Sequence, residues 1–465
     1  MKINGGQVGT SSSPANIHGG GYGSATRVSQ NVDITLGTTG QTEPGVTVYG
    51  DVYGGSALGY VNGTTATTTY HTNVTLNKGT INGSLYGGGL GAAGTAANVY
   101  GPVAVKVYGG SVNKTDANGA NGSGGVYGAN NVNGAPQRSV TVDIYGTDPA
   151  PAADAYALFS VYGGGNAADY TYGNGYPTVK VHNCNNSIEY VYGGGNAAAV
   201  AATDVTIYGG NKIGNVFGGG NGTVTAANVT GNAVTKIYGG TIGKVFGGSN
   251  SQGTIGGTIS VTVDKQGDTD PEGQSTACDM KIGELYGGGN MAASNVGSLS
   301  IGCTGALTAD HSEHPENIGT TLEGIGDVYA GANAAAVNGD VTLNIESGMV
   351  NRVFGNNNTS ASVSGTITVN IDKQSDACGW YVGYVYGGGN QAPYTAPDGK
   401  PNYPVVNVKN GKVSHSVFGG GLGNPATVTG NPQVTLSGTA EVGGNVYGGG
   451  DAAPVTGSTK VTLKD

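Results

Sequence analysis

The sequence predicts an all-β fold, a single-stranded parallel β-solenoid, right-handed and about fourteen coils long. Three observations predict it. A short phrase repeats along the whole chain, the segments between its copies alternate with the period of a strand, and the shortest unit is too small to bury an apolar face alone.

The phrase reads aliphatic, aromatic, Gly, Gly, then usually Gly-Asn. Val161-Tyr162-Gly163-Gly164-Gly165-Asn166 and Val191-Tyr192-Gly193-Gly194-Gly195-Asn196 are clear copies. Its aromatic falls at Tyr53, Tyr86, Tyr127, Tyr162, Tyr192, Phe217, Phe246, Tyr286, Tyr329, Phe354, Tyr386, Phe418 and Tyr447, with His18 in a degenerate first copy, and successive copies lie 25 to 43 residues apart. Val, Leu or Ile precedes the aromatic every time.

Between copies runs a second phrase, aliphatic-x-aliphatic, as in Val205-Thr206-Ile207-Tyr208-Gly209-Gly210. Period 2 with β-branched residues reads as strand, and Gly-Gly or Gly-Asn as a corner where positive φ is tolerated. Two or three short strands in about 25 residues make one coil, stable only when stacked on like neighbours. A β-propeller needs about 40–45 residues per blade and only four to eight blades, which excludes it. Fourteen coils at about 4.8 Å each give a rod of roughly 65–70 Å. The reading is one continuous solenoid over 1–465, with corner insertions near 113–124, 147–158, 264–280, 303–324 and 391–404.

Identical phase places like residues above like. The aliphatic residue before each aromatic forms an inward column. Asn four residues after the aromatic (Asn131, Asn166, Asn196, Asn221, Asn250, Asn290, Asn333, Asn358 and Asn390) predicts an amide ladder. The aromatics from Tyr162, Tyr192, Phe217, Phe246, Tyr286, Tyr329, Phe354, Tyr386 and Phe418 to Tyr447 predict a stack. Strand alternation turns these rings to the other face, half-exposed over glycine, where a sugar-binding platform is the alternative to a structural role. Thr47, Thr75, Thr141, Thr206, Thr262, Thr342, Thr368, Thr435 and Thr462 form an outward column, too irregular in coil length for an ice-binding surface.

Composition narrows the function classes. Charged residues make up 10% of the chain, the net charge is −10, and Arg occurs only at Arg27, Arg138 and Arg352. Nothing can neutralise a run of phosphates, so nucleic acid and anionic membrane surfaces are excluded as partners. No apolar run is long enough for membrane insertion as a helix.

Charge gathers between Asp264 and Asp327, with eleven acids against Lys265 and Lys281. There Asp268, Asp270, Glu272 and Asp279, with Gly273, match the spacing of a calcium loop, although Pro271 and the missing flanking helices depart from it. A solvated acidic corner is the alternative, and no other cofactor is implied. Asp310-His311-Ser312-Glu313-His314-Pro315-Glu316 reads as an exposed loop in which Pro315 argues against helix, with weak metal binding as its alternative. Cys184, Cys278 and Cys378 each lie eight residues before a repeat aromatic but several coils apart, so the reading keeps them from bridging one another. Cys278 and Cys303, 25 residues apart, are the one pair within reach; buried thiols are the alternative.

No catalytic constellation emerges. On units such as Ile207 to Asn221 and Ile237 to Asn250, the chain resembles the large repetitive β-helical surface proteins of bacteria, of adhesin and autotransporter-passenger type. The resemblance implies display outside the cell or on the bacterial surface, with adhesion or scaffolding as the role and glycans or cell-surface proteins as partners. The expected function is a non-enzymatic structural or adhesive repeat protein. The alternative is a polysaccharide-active lyase or glycosidase, or a carbohydrate-binding module, which would draw on the acidic insertions. The chain begins and ends within its repeat, without evident caps. The reading is therefore a segment that continues into further coils or self-associates end to end.

Overall fold

A computed structural model describes residues 1–42, 44–112, 122–149, 155–171, 175–265, 267 and 269–464. It is built of short parallel strands, and each strand pairs with its counterpart one repeat later, as a parallel β-solenoid requires. The chain gathers into two compact units, Met1–Ala233 with Thr269–Cys278, and Val234–Asp268 with Asp279–Asp465.

In the first unit a ladder runs through Val32–Leu36, Thr72–Leu76, Val103–Val107, Val140–Ile144, Pro177–Val181 and Thr203–Ile207. These are the aliphatic-x-aliphatic phrases. Val105, Val142, Val179 and Val205 meet in register and are fully buried, while the residues alternating with them turn to the other face, where Asp143 and Thr206 are covered in their turn. Burying one such valine contributes about 1.5–3 kcal/mol. A second face carries the aromatic phrase through Val52–Tyr53, Leu85–Tyr86, Gly125–Tyr127, Leu158–Tyr162, Ser187–Tyr192 and Lys212–Phe217. A third, narrow face is made of the short pair Arg27–Val28 with Tyr60–Val61 and of single bridges joining Val61 to Val99, Val99 to Pro136, and Tyr170 through Val200 to Val229. The second unit repeats this plan, with one ladder from Ile259–Val263 to Lys460–Leu463 and the aromatic face from Gly240–Phe246 to Val446–Tyr447.

The aromatic columns are closely regular. His18, Tyr53, Tyr86, Tyr127, Tyr162, Tyr192 and Phe217 stack in the first unit at 4.6–4.9 Å between ring centroids. Phe246, Tyr286, Tyr329, Phe354, Tyr386, Phe418 and Tyr447 stack in the second at 4.6–5.0 Å. The half-exposed platform expected from strand alternation does not form. Every ring from Tyr53 to Phe418 is buried, and only Tyr447 is 43% exposed. At one strand spacing each ring covers both faces of its neighbours, which leaves no face for a sugar.

Beside the rings runs the amide ladder. Asn166 donates to Asn131, Asn196 to Asn166 and Asn221 to Asn196; in the second unit Asn290 donates to Asn250, Asn333 to Asn290, Asn358 to Asn333 and Asn390 to Asn358, all at 2.8–3.1 Å. The ladder explains why Tyr outnumbers Phe. Tyr53 Oη accepts from Asn131 Nδ2 and donates to Asp51, and Tyr286 Oη accepts from Asn358 and donates to Glu284. The hydroxyl is satisfied by the ladder and by an acid two residues back, so burying it costs little.

The glycines of the two phrases do different work. After the aliphatic-x-aliphatic phrase, Gly110 and Gly240 hold φ of 84° and 100°, a corner only glycine adopts cheaply. The glycines after the aromatic are not left-handed. A Cβ on Gly193 would lie 2.4 Å from the carbonyl oxygen of Gly218, and one on Gly247 would lie 2.5 Å from that of Gly287. Close approach of one coil to the next, rather than turn geometry, requires glycine there.

Two predictions follow from the columns. Gly193→Ala inserts a methyl group between stacked backbones and lowers stability by about 1–3 kcal/mol. Gly5→Ala, whose new carbon would meet only the Pro44 carbonyl oxygen, at 3.9 Å, stays within about 0.5 kcal/mol of wild type. Chemical denaturation of both variants measures this. The second concerns alkaline pH. Burial, ahead of nearby charges, pushes the phenols of Tyr53, Tyr86, Tyr127, Tyr286 and Tyr329 well above their ordinary range, and Tyr190 up to about 12. The folded state keeps these protons where an unfolded chain has lost them. The stabilisation is therefore complete below about pH 10 and declines as pH rises above it. Ultraviolet titration should show these tyrosinates appearing only together with loss of the far-UV strand signal.

Candidate functional site

Chemistry gathers where the repeat is broken. The residue after the aliphatic-x-aliphatic strand is aromatic in successive coils, and Tyr108, Tyr145, His182 and Tyr208 stack at 4.5, 4.4 and 5.5 Å. In one coil the Tyr-Gly-Gly phrase is replaced by His182-Asn183-Cys184. Asn183 holds φ 55°, a left-handed conformation that Asn tolerates, and its amide donates to the carbonyl of Tyr145 and to Gln274.

The 264–280 insertion supplies the other wall, since its residues Thr269–Cys278 belong to the first unit. Thr269 and Ser275 bridge antiparallel, and Asp270 builds the turn between them. One oxygen of Asp270 accepts from the backbone N–H of Glu272 and Gln274, at 2.9 and 2.8 Å. Its other oxygen bonds His182 Nδ1, and both side chains are wholly buried. Glu272 reaches across to accept from Tyr145 Oη at 2.5 Å and from Lys180 Nζ at 2.9 Å. On the other side of the imidazole, Asp143 Oδ1 lies 3.6 Å from Nε2, too far for a hydrogen bond, and Nε2 has no hydrogen-bond partner.

The electrostatics follow from this packing. Burial disfavours the imidazolium of His182, but Asp143 and Asp270 outweigh it and raise its pKa. The hydrogen bonds from Tyr145 and Lys180 hold Glu272 below the usual carboxylate range. Burial, with Glu272 as second cause, pushes the Tyr145 phenol well up. Among the described residues, Asp143, His182 and Glu272 are the group of side chains placed to hold a metal ion, with one donor atom from each lying within 4.8 Å of the others.

The calcium-loop spacing distributes differently. Asp268 lies outside the described residues. Asp270 is taken up by its turn and by His182, Glu272 faces Tyr145 and Lys180, and Asp279 pairs with Lys281 Nζ at 2.9 Å. The Asp310–Glu316 segment is largely exposed, as expected, but it is not a plain loop. Ala309–Glu313 makes a short helix that ends before Pro315, and His311 is buried, its Nδ1 on Thr308 and its Nε2 against the carbonyl of Glu323.

Both cysteine expectations are overturned. Cys184 bonds Cys278, with Cα atoms 5.4 Å apart, and Cys303 bonds Cys378, with Cα atoms 5.6 Å apart. Cys278 and Cys303 do not pair. The insertions do not simply project from their corners. Thr269–Cys278 packs into the first unit beside Gly209, and the 303–324 excursion lays Ile318 against Met349 and Tyr381. Distance along the chain therefore misstates distance in space. The signal for the site was His182-Asn183-Cys184 itself, a single unit that breaks the phrase with three chemically distinctive residues.

No helix among the described residues is long and apolar enough to cross a membrane. In comparisons with known proteins, no family model, curated sequence or solved structure matches this chain.

The bridge between Cys184 and Cys278 spans 94 residues. Replacing both with Ser is expected to destabilise the protein by about 2–4 kcal/mol and to open the 269–278 segment to protease. Peptide mapping under non-reducing conditions should recover the Cys184–Cys278 and Cys303–Cys378 linkages. A Cys278–Cys303 peptide would contradict the described arrangement.

Proposed function

We propose that the chain is a non-enzymatic structural or adhesive protein that acts outside the cytoplasm, displayed on a bacterial surface or released from it. The observation that carries this reading is the pair of disulfides, each holding an insertion in place. Such bonds persist in oxidising compartments and are rare where thiols are kept reduced. The use of the side chains supports it further. Tyr, Asn, Val and Gly are spent on columns that join coil to coil, and the cross-coil charges are paired, as in Arg352 with Asp327 and Lys244 with Glu284. Glycans or cell-surface proteins are the partners this reading favours.

One feature favours the carbohydrate-active alternative. An open cleft of about 390 Å³ on the second unit is lined by Asn344, Glu346, Asn370, Asp372, Asn407 and Lys409. Asn370 donates to Asn344 and Asn407 to Asn370, which leaves a polar floor suited to sugar hydroxyls. Burial alone would raise the pKa of Asp372, but the hydrogen bonds of Asn410 and Lys409 prevail and lower it. A lowered pKa keeps Asp372 an acceptor for sugar hydroxyls and unsuited to the proton-donating role of a glycosidase acid.

Two measurements test the reading. Thiol trapping during cell fractionation should find the chain outside the cytoplasm with all four cysteines oxidised; a cytoplasmic pool with free thiols would contradict it. A glycan array paired with a reducing-sugar assay should give binding without product. Turnover that is lost in Glu346→Gln or Asp372→Asn would replace this reading with the enzymatic one.

A further inference from the structure

We propose that Asp143, His182 and Glu272 form a binding site for one divalent cation of the zinc type, which fastens the 269–278 segment to the coils beneath it. The inference is independent of the role proposed for the chain as a whole.

The donors come from three separate stretches. Asp143 lies in the strand Val140–Ile144, His182 directly follows the neighbouring strand Pro177–Val181, and Glu272 comes from the insertion. Their donor atoms lie within 4.8 Å of one another, close enough to share one ion. The independent sign of a ligand is His182 Nε2. Its side chain is fully buried, this nitrogen has no hydrogen-bond partner, and it faces Asp143. A buried ring nitrogen left unpaired is costly, and a cation at that point would take its lone pair.

The other ring nitrogen supports this assignment. Nδ1 is bonded to the buried Asp270 carboxylate, whose remaining oxygen is fixed by two backbone N–H groups. A carboxylate on the far nitrogen orients a ligating imidazole, fixes its tautomer and raises its basicity. Three carboxylates meet here, Asp143, Asp270 and Glu272; Lys180 is held on Glu272, and Lys106 is the register partner of Asp143 on the neighbouring strand. Asp143 and Asp270 are buried on either side of His182, and their charge favours a cation there. Solvent access is through Glu272, whose side chain is 35% exposed.

One imidazole and two carboxylates set the class. Calcium and magnesium favour oxygen-only sets, and copper(I) favours sulfur, whereas zinc accepts mixed nitrogen and oxygen ligands. Solvent would complete the coordination.

The test uses the full chain with both disulfides intact, stripped by chelator and titrated with Zn²⁺ by calorimetry, and with Co²⁺ by visible absorption. One ion per chain is expected, with ligand-field bands from bound Co²⁺. Glu272→Gln alters a partly exposed residue. His182→Tyr substitutes the residue that the same column carries at Tyr145 and Tyr208, so the stack is retained while the nitrogen is lost. Each variant should weaken binding by at least about tenfold, the loss seen even when a supporting partner is removed from a metal site. Circular dichroism confirms that the variants are folded. Absence of saturable binding, binding unchanged in both variants, or saturation by Ca²⁺ but not Zn²⁺ would each overturn the proposal. The first outcome would leave His182 as a protonated bridge between Asp143 and Asp270.

Discussion

Within each unit, every coil lies one strand spacing from the next. A parallel ladder in register brings each residue to its counterpart at about 4.8 Å, and any side chain tolerated there must tolerate itself as a neighbour. Few side chains meet that condition. Flat rings do, by stacking; primary amides do, because each both donates and accepts; valines do, by packing in rows. Glycine is forced wherever the backbones themselves come together, as at Gly193 against Gly218. The composition of the chain, rich in Gly and Tyr and poor in charge, is the consequence of this single distance. Like charges repel in a column, so acids that do meet are flanked by bases: Lys244, Glu284, Asp327 and Arg352 are successive register partners, with Lys244 paired to Glu284 and Arg352 to Asp327.

The same constraint explains where chemistry can be found. A buried column spends its side chains on its own repetition and leaves little for a ligand. Reactive groups therefore arise where a unit departs from the phrase and an insertion supplies partners from elsewhere. His182-Asn183-Cys184 is such a departure, and the 264–280 insertion meets it with Asp270, Glu272 and Cys278. His182 keeps its place between Tyr145 and Tyr208 as a flat ring, so the stack is not interrupted. Its two nitrogens gain a chemistry that the tyrosines lack.

Much of the fold was legible in the sequence because it is periodic. The phase of Tyr162 and Tyr192, the ladder from Asn166 to Asn221 and the strand character of Val205-Thr206-Ile207 can all be read from spacing. Burial of the rings was not legible, because alternation assigns one face to each residue and does not reveal that stacking alone can close off an aromatic column. The reason for the glycines was only half legible, since Gly110 and Gly193 look alike in the sequence but one serves a corner and the other a close approach. The site was the least legible part. The calcium-type spacing drew attention to Asp270 and Glu272, but their partners Asp143 and His182 lie about ninety or more residues earlier and share no motif with them. Counting coils between cysteines failed for the same reason, because an insertion that packs along the stack breaks the link between separation in sequence and separation in space.

The central claim is that like residues lie directly above like on neighbouring coils. Thr141 and Thr178 are register partners on adjacent strands and face outward, half-exposed. All four native cysteines are in disulfides, so cysteines introduced at these two positions can be labelled selectively. With pyrene on both, stacking at one strand spacing should give strong excimer emission. The same label on Thr141 and Asp204, two strands apart in the same column, should give mainly monomer emission. Monomer emission from the Thr141 and Thr178 pair in a folded, oxidised protein would contradict the register on which the whole account rests.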